Sequence, residues 1–193
     1  MNAVFVQRMS KAEFFRWVQG REGRYELSEG RVMQQTTGGT VRHFDLADAI
    51  AFVLKSKVDR TRWGVTAGGP GVTIPEPVAA VTIRYPDVVV RGLGASPSAL
   101  EIDNPVVLCE VLSPSSVTLD LVIKPREYKP IRSLDTYIVA SQDEPRLTIW
   151  QRNASGVFDD FPIELTDPRT EVRLDGLGCA VTIEELYRGV LPV

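Results

Sequence analysis

Two apolar, β-branched runs, each carrying one carboxylate, constrain this chain more than any other feature. They are Tyr85-Pro86-Asp87-Val88-Val89-Val90 and Val106-Val107-Leu108-Cys109-Glu110-Val111-Leu112. Such runs read as strands buried on both faces. A carboxylate in such a strand loses its hydration, at a cost of several kcal/mol unless a cation or a donor replaces the water. Two of them on neighbouring strands repel each other. A divalent metal answers both problems, and an oxygen-only donor set selects a hard ion, Mg²⁺ or Mn²⁺. The plainer alternative is a pair of acids that end strands and point to solvent.

The rest of the chain narrows the class. With 193 residues it suits one domain, 1–193, with material for a substantial core. Hydrophobic residues make up 44% and charged residues 24%, an ordinary globular composition. The net charge of -3 argues against nucleic-acid binding through bulk charge but leaves room for a local basic cleft. No stretch approaches the roughly 20 apolar residues of a membrane span, and residues 1–10 lack the apolar block of a signal peptide. Cys109 and Cys179 lie far apart without metal-ligand spacing, and Cys109 reads as a small core residue. These features fit a cytoplasmic protein with no membrane partner.

Local signals give an order of elements. Ser10-Lys11-Ala12-Glu13 is a capping box that opens a helix to about residue 18. Residues 24–33 read as a β-hairpin turning at Glu29-Gly30, and residues 36–40 as a loop. A second helix is expected over 41–57, with Phe44, Ala47, Ile50, Ala51 and Leu54 as its apolar stripe and with Asp45 and Asp48 near the positive end of its dipole. Short strands follow at 63–66, 71–74, 80–83 and 86–90, then a polar connection over 92–104 and a strand at 106–112. A short third helix is expected within 120–128, with strands at 137–139, 147–150 and 171–174 and a capped helical turn at 182–187. Helices at both ends of a mixed sheet give an α/β or α+β class.

Several residues could carry chemistry beside Asp87 and Glu110. A phosphodiester-cleaving site needs a cation to orient water and steady a developing charge. Lys124 is the nearest lysine after Glu110, and Lys129 is the near alternative. Because Pro125 follows, Lys124 is expected as the cap of a helix that begins at the proline. Alternation sets Glu26 on the face opposite Tyr25 and Leu27, which gives either a solvent-facing residue or a further acid at the metal site. His43 is the single histidine, so a histidine cluster for zinc is excluded. The segments Gly38-Gly39 and Gly68-Gly69-Pro70-Gly71 match neither a P-loop nor a dinucleotide fingerprint.

The ordered pieces resemble a bacterial family. They are Tyr25-Glu26-Leu27 with Glu29-Gly30, His43 opening a helix, Pro86-Asp87-Val88-Val89-Val90, Cys109-Glu110-Val111-Leu112-Ser113-Pro114-Ser115, Asp120 with Lys124 and Tyr128, and Tyr137-Ile138-Val139. The chain resembles, from about residue 10 to 187, the family named "putative restriction endonuclease", once a domain of unknown function, in the PD-(D/E)XK nuclease superfamily. The resemblance implies a restriction-endonuclease-like core, a mixed β-sheet flanked by helices, with an N-terminal helix and β-hairpin. It implies a metal-dependent endonuclease acting on DNA, with Asp87, Glu110 and Glu26 as metal acids and Lys124 as the catalytic lysine. His43 matches a recurrent histidine that would be accessory. Leu112 stands where the E-x-K spacing would place a lysine, so Lys124 supplies it from the following helix. The other readings are a nuclease-fold module that only binds nucleic acid or protein, and a hydrolase of another phosphodiester such as RNA. Because a duplex has two strands, a twofold homodimer is the expected assembly.

Overall fold

In the computed structural model, residues 8–35, 39–75 and 81–192 are described. The loop expected over 36–40 and the strand start at Ala80 lie partly outside them. The elements are α1 (Lys11–Val18), β1 (Arg24–Ser28), β2 (Arg31–Gln35), α2 (Val41–Lys57), β3 (Trp63–Ala67), β4 (Gly71–Ile74), β5 (Thr82–Arg84), β6 (Val88–Gly92), β7 (Glu101–Ile102) and β8 (Pro105–Leu112). There follow a π-helical turn (Leu119–Ile123), α3 (Lys124–Tyr128), β9 (Thr136–Ser141), β10 (Leu147–Gln151), β11 (Ile163–Leu165), β12 (Glu171–Leu174), β13 (Cys179–Thr182) and α4 (Ile183–Tyr187). The class is α/β, with mixed sheets flanked by helices, as expected. None of the described helices is long and apolar enough to cross a membrane.

A six-stranded sheet runs β11-β10-β9-β8-β6-β3, with only the β8–β9 pair parallel. The two apolar runs are its adjacent inner strands β6 and β8, and residues 88–90 and 105–111 are buried on both faces. Val88, Val90, Val107, Cys109 and Val111 turn to one face, where α2 and α4 close a core with Leu46, Ile50, Leu54, Ile183 and Leu186. Val89, Leu108, Tyr137 and Val139 turn to the other, packing with Tyr128, Leu134 and Trp150. Period-two alternation therefore sends Glu110 to the second face, towards α3.

A second sheet, β2-β1-β5-β4-β7, carries the hairpin. The turn at Glu29 (φ 48) and Gly30 (φ 75) has two positive φ values, the backbone of a type I′ hairpin turn. Phe14 of α1 packs on Leu27 and Ile83 of this sheet, and the expected capping box at Ser10 and Glu13 is formed. β5 runs through Tyr85 and Pro86 into Asp87 and β6, so one short segment joins the two sheets.

Three local expectations are corrected. The stripe on α2 uses Leu46 rather than Phe44, which is 48% exposed; the buried arc is centred on Ala47, Ile50 and Leu54. Asp45 and Asp48 fall beyond the first turn of α2, outside the short reach of the helix-end charge. The helix carrying Lys124 does not begin at Pro125. Lys124 itself is helical (φ -58, ψ -38), and its N–H donates to the carbonyl of Leu119 five residues back. That five-residue bond closes a widened, π-type turn, and Pro125, which has no N–H to donate, follows it directly.

Candidate functional site

Asp87, Glu110, Lys124, Glu26 and His43 all line one open cleft of about 1350 Å³, together with Asp120, Tyr25, Gln35, Phe44 and the 113–118 segment. Val88 pairs with Cys109 across β6 and β8, so Asp87, one residue before, stands level with Glu110. The Val111 N–H donates to Asp87 Oδ2 at 2.8 Å, which pins the acid at the strand end. His43 Nε2 lies 3.3 Å from Asp87 Oδ1, brought there by the first turn of α2, whose cap is Thr40. Burial alone would raise the Asp87 pKa, but the contact to His43 and the Val111 N–H outweigh it and hold the carboxyl below its ordinary value.

Glu110 is the opposite case. It is 3% exposed, and its Oε1 accepts from Lys124 Nζ at 2.7 Å and from the Tyr128 hydroxyl at 3.2 Å. Burial pushes its pKa well above the ordinary carboxylate value, and the charges of Asp120 and Asp87 push the same way against the pull of Lys124. Burial would also strip the proton from Lys124, yet Glu110 and Asp120 prevail and its pKa is raised. The direction that holds for the pair is a charged lysine facing an excess of negative charge.

Asp120, Lys124 and Tyr128 recur at intervals of four along the helical segment and share its buried face. Lys124 Nζ lies 2.8 Å from Asp120 Oδ1, but the approach lacks hydrogen-bond alignment, so that buried oxygen has a charge contact and no donor. Asp120 is the acid that reading the strands for carboxylates missed. Its signal was the four-residue spacing to Lys124, an acid–base pair on one helix face. Lys129 points away and donates to the carbonyls of Asp159 and Asp160.

Glu26 is 3% exposed, so the solvent-facing reading of the hairpin is not what the fold adopts. Its oxygens already hold donors. Oε2 accepts from Arg84 at 2.8 Å and Gln35 at 3.0 Å, and Oε1 accepts from the Tyr85 N–H at 3.1 Å. Arg84 is a second residue the sequence reading missed.

Among the described residues, no group of three or more His, Cys, Asp and Glu side chains converges as a metal-binding cluster. The donors nonetheless fit a Mg²⁺-like ion. Such an ion keeps several waters and takes one or two carboxylates. Asp87 and Glu110 supply oxygen at the cleft, and Asp120 Oδ1 is a buried oxygen without a hydrogen-bond donor.

A solved structure shares this fold. It is the crystal structure of a putative nuclease belonging to DUF820 from Anabaena variabilis, with a TM-score of 0.69, 16% identity and coverage of 95% of this chain and 99% of that one. The chain belongs to the Uma2 family, described as "putative restriction endonuclease", whose model matches residues 12–182. The family resemblance read from the sequence therefore holds, and it places the chain among nucleases in the general sense. No curated protein matches.

Proposed function

We propose that the protein is a divalent-metal-dependent endonuclease that hydrolyses DNA phosphodiester bonds in the cytoplasm. The observation that carries this reading is the Lys124 ammonium, 2.7 Å from Glu110 and 2.8 Å from Asp120, in the cleft that Asp87 also lines. A buried ammonium amid three carboxylates is the charge pattern expected where a cation and a phosphate are to be accommodated together.

Asp87 and Glu110 would hold Mg²⁺ or Mn²⁺, which when bound polarises a phosphoryl oxygen and lowers the pKa of water. Lys124 orients the attacking water and offsets charge that develops on the phosphate. Asp120 keeps the ammonium aimed by holding it from its own helix. Tyr128 fixes Glu110 Oε1 through its hydroxyl. His43 sets the orientation of Asp87 and so is accessory rather than reactive. Glu26 contributes to the field at Lys124. A twofold homodimer would present one site to each strand of a duplex.

One observation favours a second reading, a nuclease-fold module that binds nucleic acid or protein without cutting: the Lys124 ammonium is enclosed with Glu110 and Asp120 in a buried ion-pair network, an arrangement that can also serve a purely structural role. Incubating the protein with duplex DNA, single-stranded DNA and RNA, with Mg²⁺, Mn²⁺ or EDTA, separates the readings. Cleavage of DNA that needs the metal and is lost in Asp87→Ala is expected. Cleavage of RNA alone transfers the reading to another phosphodiester, and metal-dependent binding without cleavage favours the module.

A further inference from the structure

We propose that Arg84 and Glu26 form a positioning bridge that fixes the segment bearing Asp87 against the helix bearing Lys124. This deepens the nuclease reading and rests on Lys124 being its catalytic cation. The two halves of the site come from different places. Asp87 ends the segment Arg84-Tyr85-Pro86-Asp87, which links the two sheets, while Lys124 stands on α3. β8 links them indirectly, through Glu110 to Lys124 and through the Val111 N–H to Asp87, and a direct tie between the two segments is made separately.

Arg84 does this with a single planar group. Its Nε and Nη2 take Glu127 at 2.8 and 2.6 Å, a bidentate pair, and Glu127 lies three residues after Lys124 on the same helix. Its Nη1 takes Glu26 Oε2 at 2.8 Å, and Nη2 also reaches the Ser28 hydroxyl at 3.2 Å. Glu26 then grips the next residue, accepting the Tyr85 N–H. The guanidinium side chain is only 3% exposed, so its charge and all these directions are spent inside the protein. A rigid fork bonded on two edges transmits position, which a flexible ammonium cannot do. The hairpin acid matched by the family resemblance thus acts here through Arg84 and Tyr85, with its oxygens filled by protein donors.

Removing Arg84 outright would leave Glu26 buried without its cation, so milder changes make the test. Glu127→Gln keeps the shape and sits partly in reach of water, with 19% of its side chain exposed. Arg84→Lys keeps the charge but loses the fork. Each should lower kcat on DNA by about tenfold to a hundredfold with KM little changed, as expected for a misplaced reacting group. The double variant should be no worse than the poorer single one, because both break the same bridge. The heteronuclear NMR signal of the Lys124 ammonium should shift and broaden in both variants, with thermal midpoints staying cooperative. An unchanged kcat in an active protein, or an unchanged Lys124 signal, overturns the proposal. If the parent protein cuts nothing while the Lys124 signal responds, the positioning bridge stands and the nuclease reading falls.

Discussion

The Val111 N–H donates to Asp87 Oδ2 at 2.8 Å, tying one acid to the backbone one residue past the other, Glu110. That bond makes the two strand-borne carboxylates unequal. Asp87 receives a backbone donor and a histidine at a strand end, whereas Glu110 is enclosed and shares one lysine with Asp120.

Asp87→Ala should abolish cleavage and also lower stability. Reading the sequence alone, removal of a buried acid looks neutral or favourable to stability. The structure moves the strain to Glu110, because the Asp87 pKa is lowered, the mark of a carboxylate stabilised in its charged form. Losing it orphans the Val111 N–H, at about 1–3 kcal/mol. Differential scanning calorimetry in EDTA checks this, and a raised midpoint would contradict it.

Glu110 should make the metal-free protein less stable as pH rises. Its folded pKa lies above the ordinary 4.5, so its contribution is fully present below the unfolded value and is lost as pH climbs through the folded one. Glu110→Gln should remove that loss, since the amide can still accept from Lys124, which retains Asp120 as its counter-ion. Midpoints measured from pH 4 to 8 in EDTA should fall more steeply in the parent than in the variant. Parallel curves would show that Lys124 already compensates Glu110 in full. Mg²⁺ should flatten the parent curve and leave the variant little changed.

Much of this site was legible before the fold. Asp87 and Glu110 stood out because a carboxylate in a β-branched run is costly, and α2 was bounded correctly because its apolar residues keep a 3.6-residue period under a threonine cap. Phe44 misled because periodicity alone does not choose between adjacent stripes. β7, β11 and β13 are two to four residues long, too short for alternation to register. Arg84 was invisible for a different reason: in sequence it is one arginine in a β-prone stretch, and its three partners come from β1 and α3. The π-helical turn was hidden because a proline after a lysine reads as a helix start.

Lys124 and Lys129 separate the chemistry most sharply. They lie five residues apart, on either side of Pro125, yet one is buried among carboxylates and the other caps the carbonyls of Asp159 and Asp160. Lys124→Ala should lower turnover by about 10²-fold or more, the scale of a lost acid–base or charge-stabilising group. It should also cost about 3–5 kcal/mol in EDTA, because Glu110 and Asp120 are left buried without a cation. Mg²⁺ should restore much of that stability but not the turnover, since an ion can neutralise the acids without orienting the water. Lys129→Ala should change stability by no more than about 0.5 kcal/mol and leave turnover intact. Calorimetry with and without Mg²⁺, beside single-turnover cleavage, reads all four quantities. A Lys124→Ala protein that Mg²⁺ returns to full activity would make the lysine a mere counter-ion, and the water would then have to be oriented by another group in the cleft.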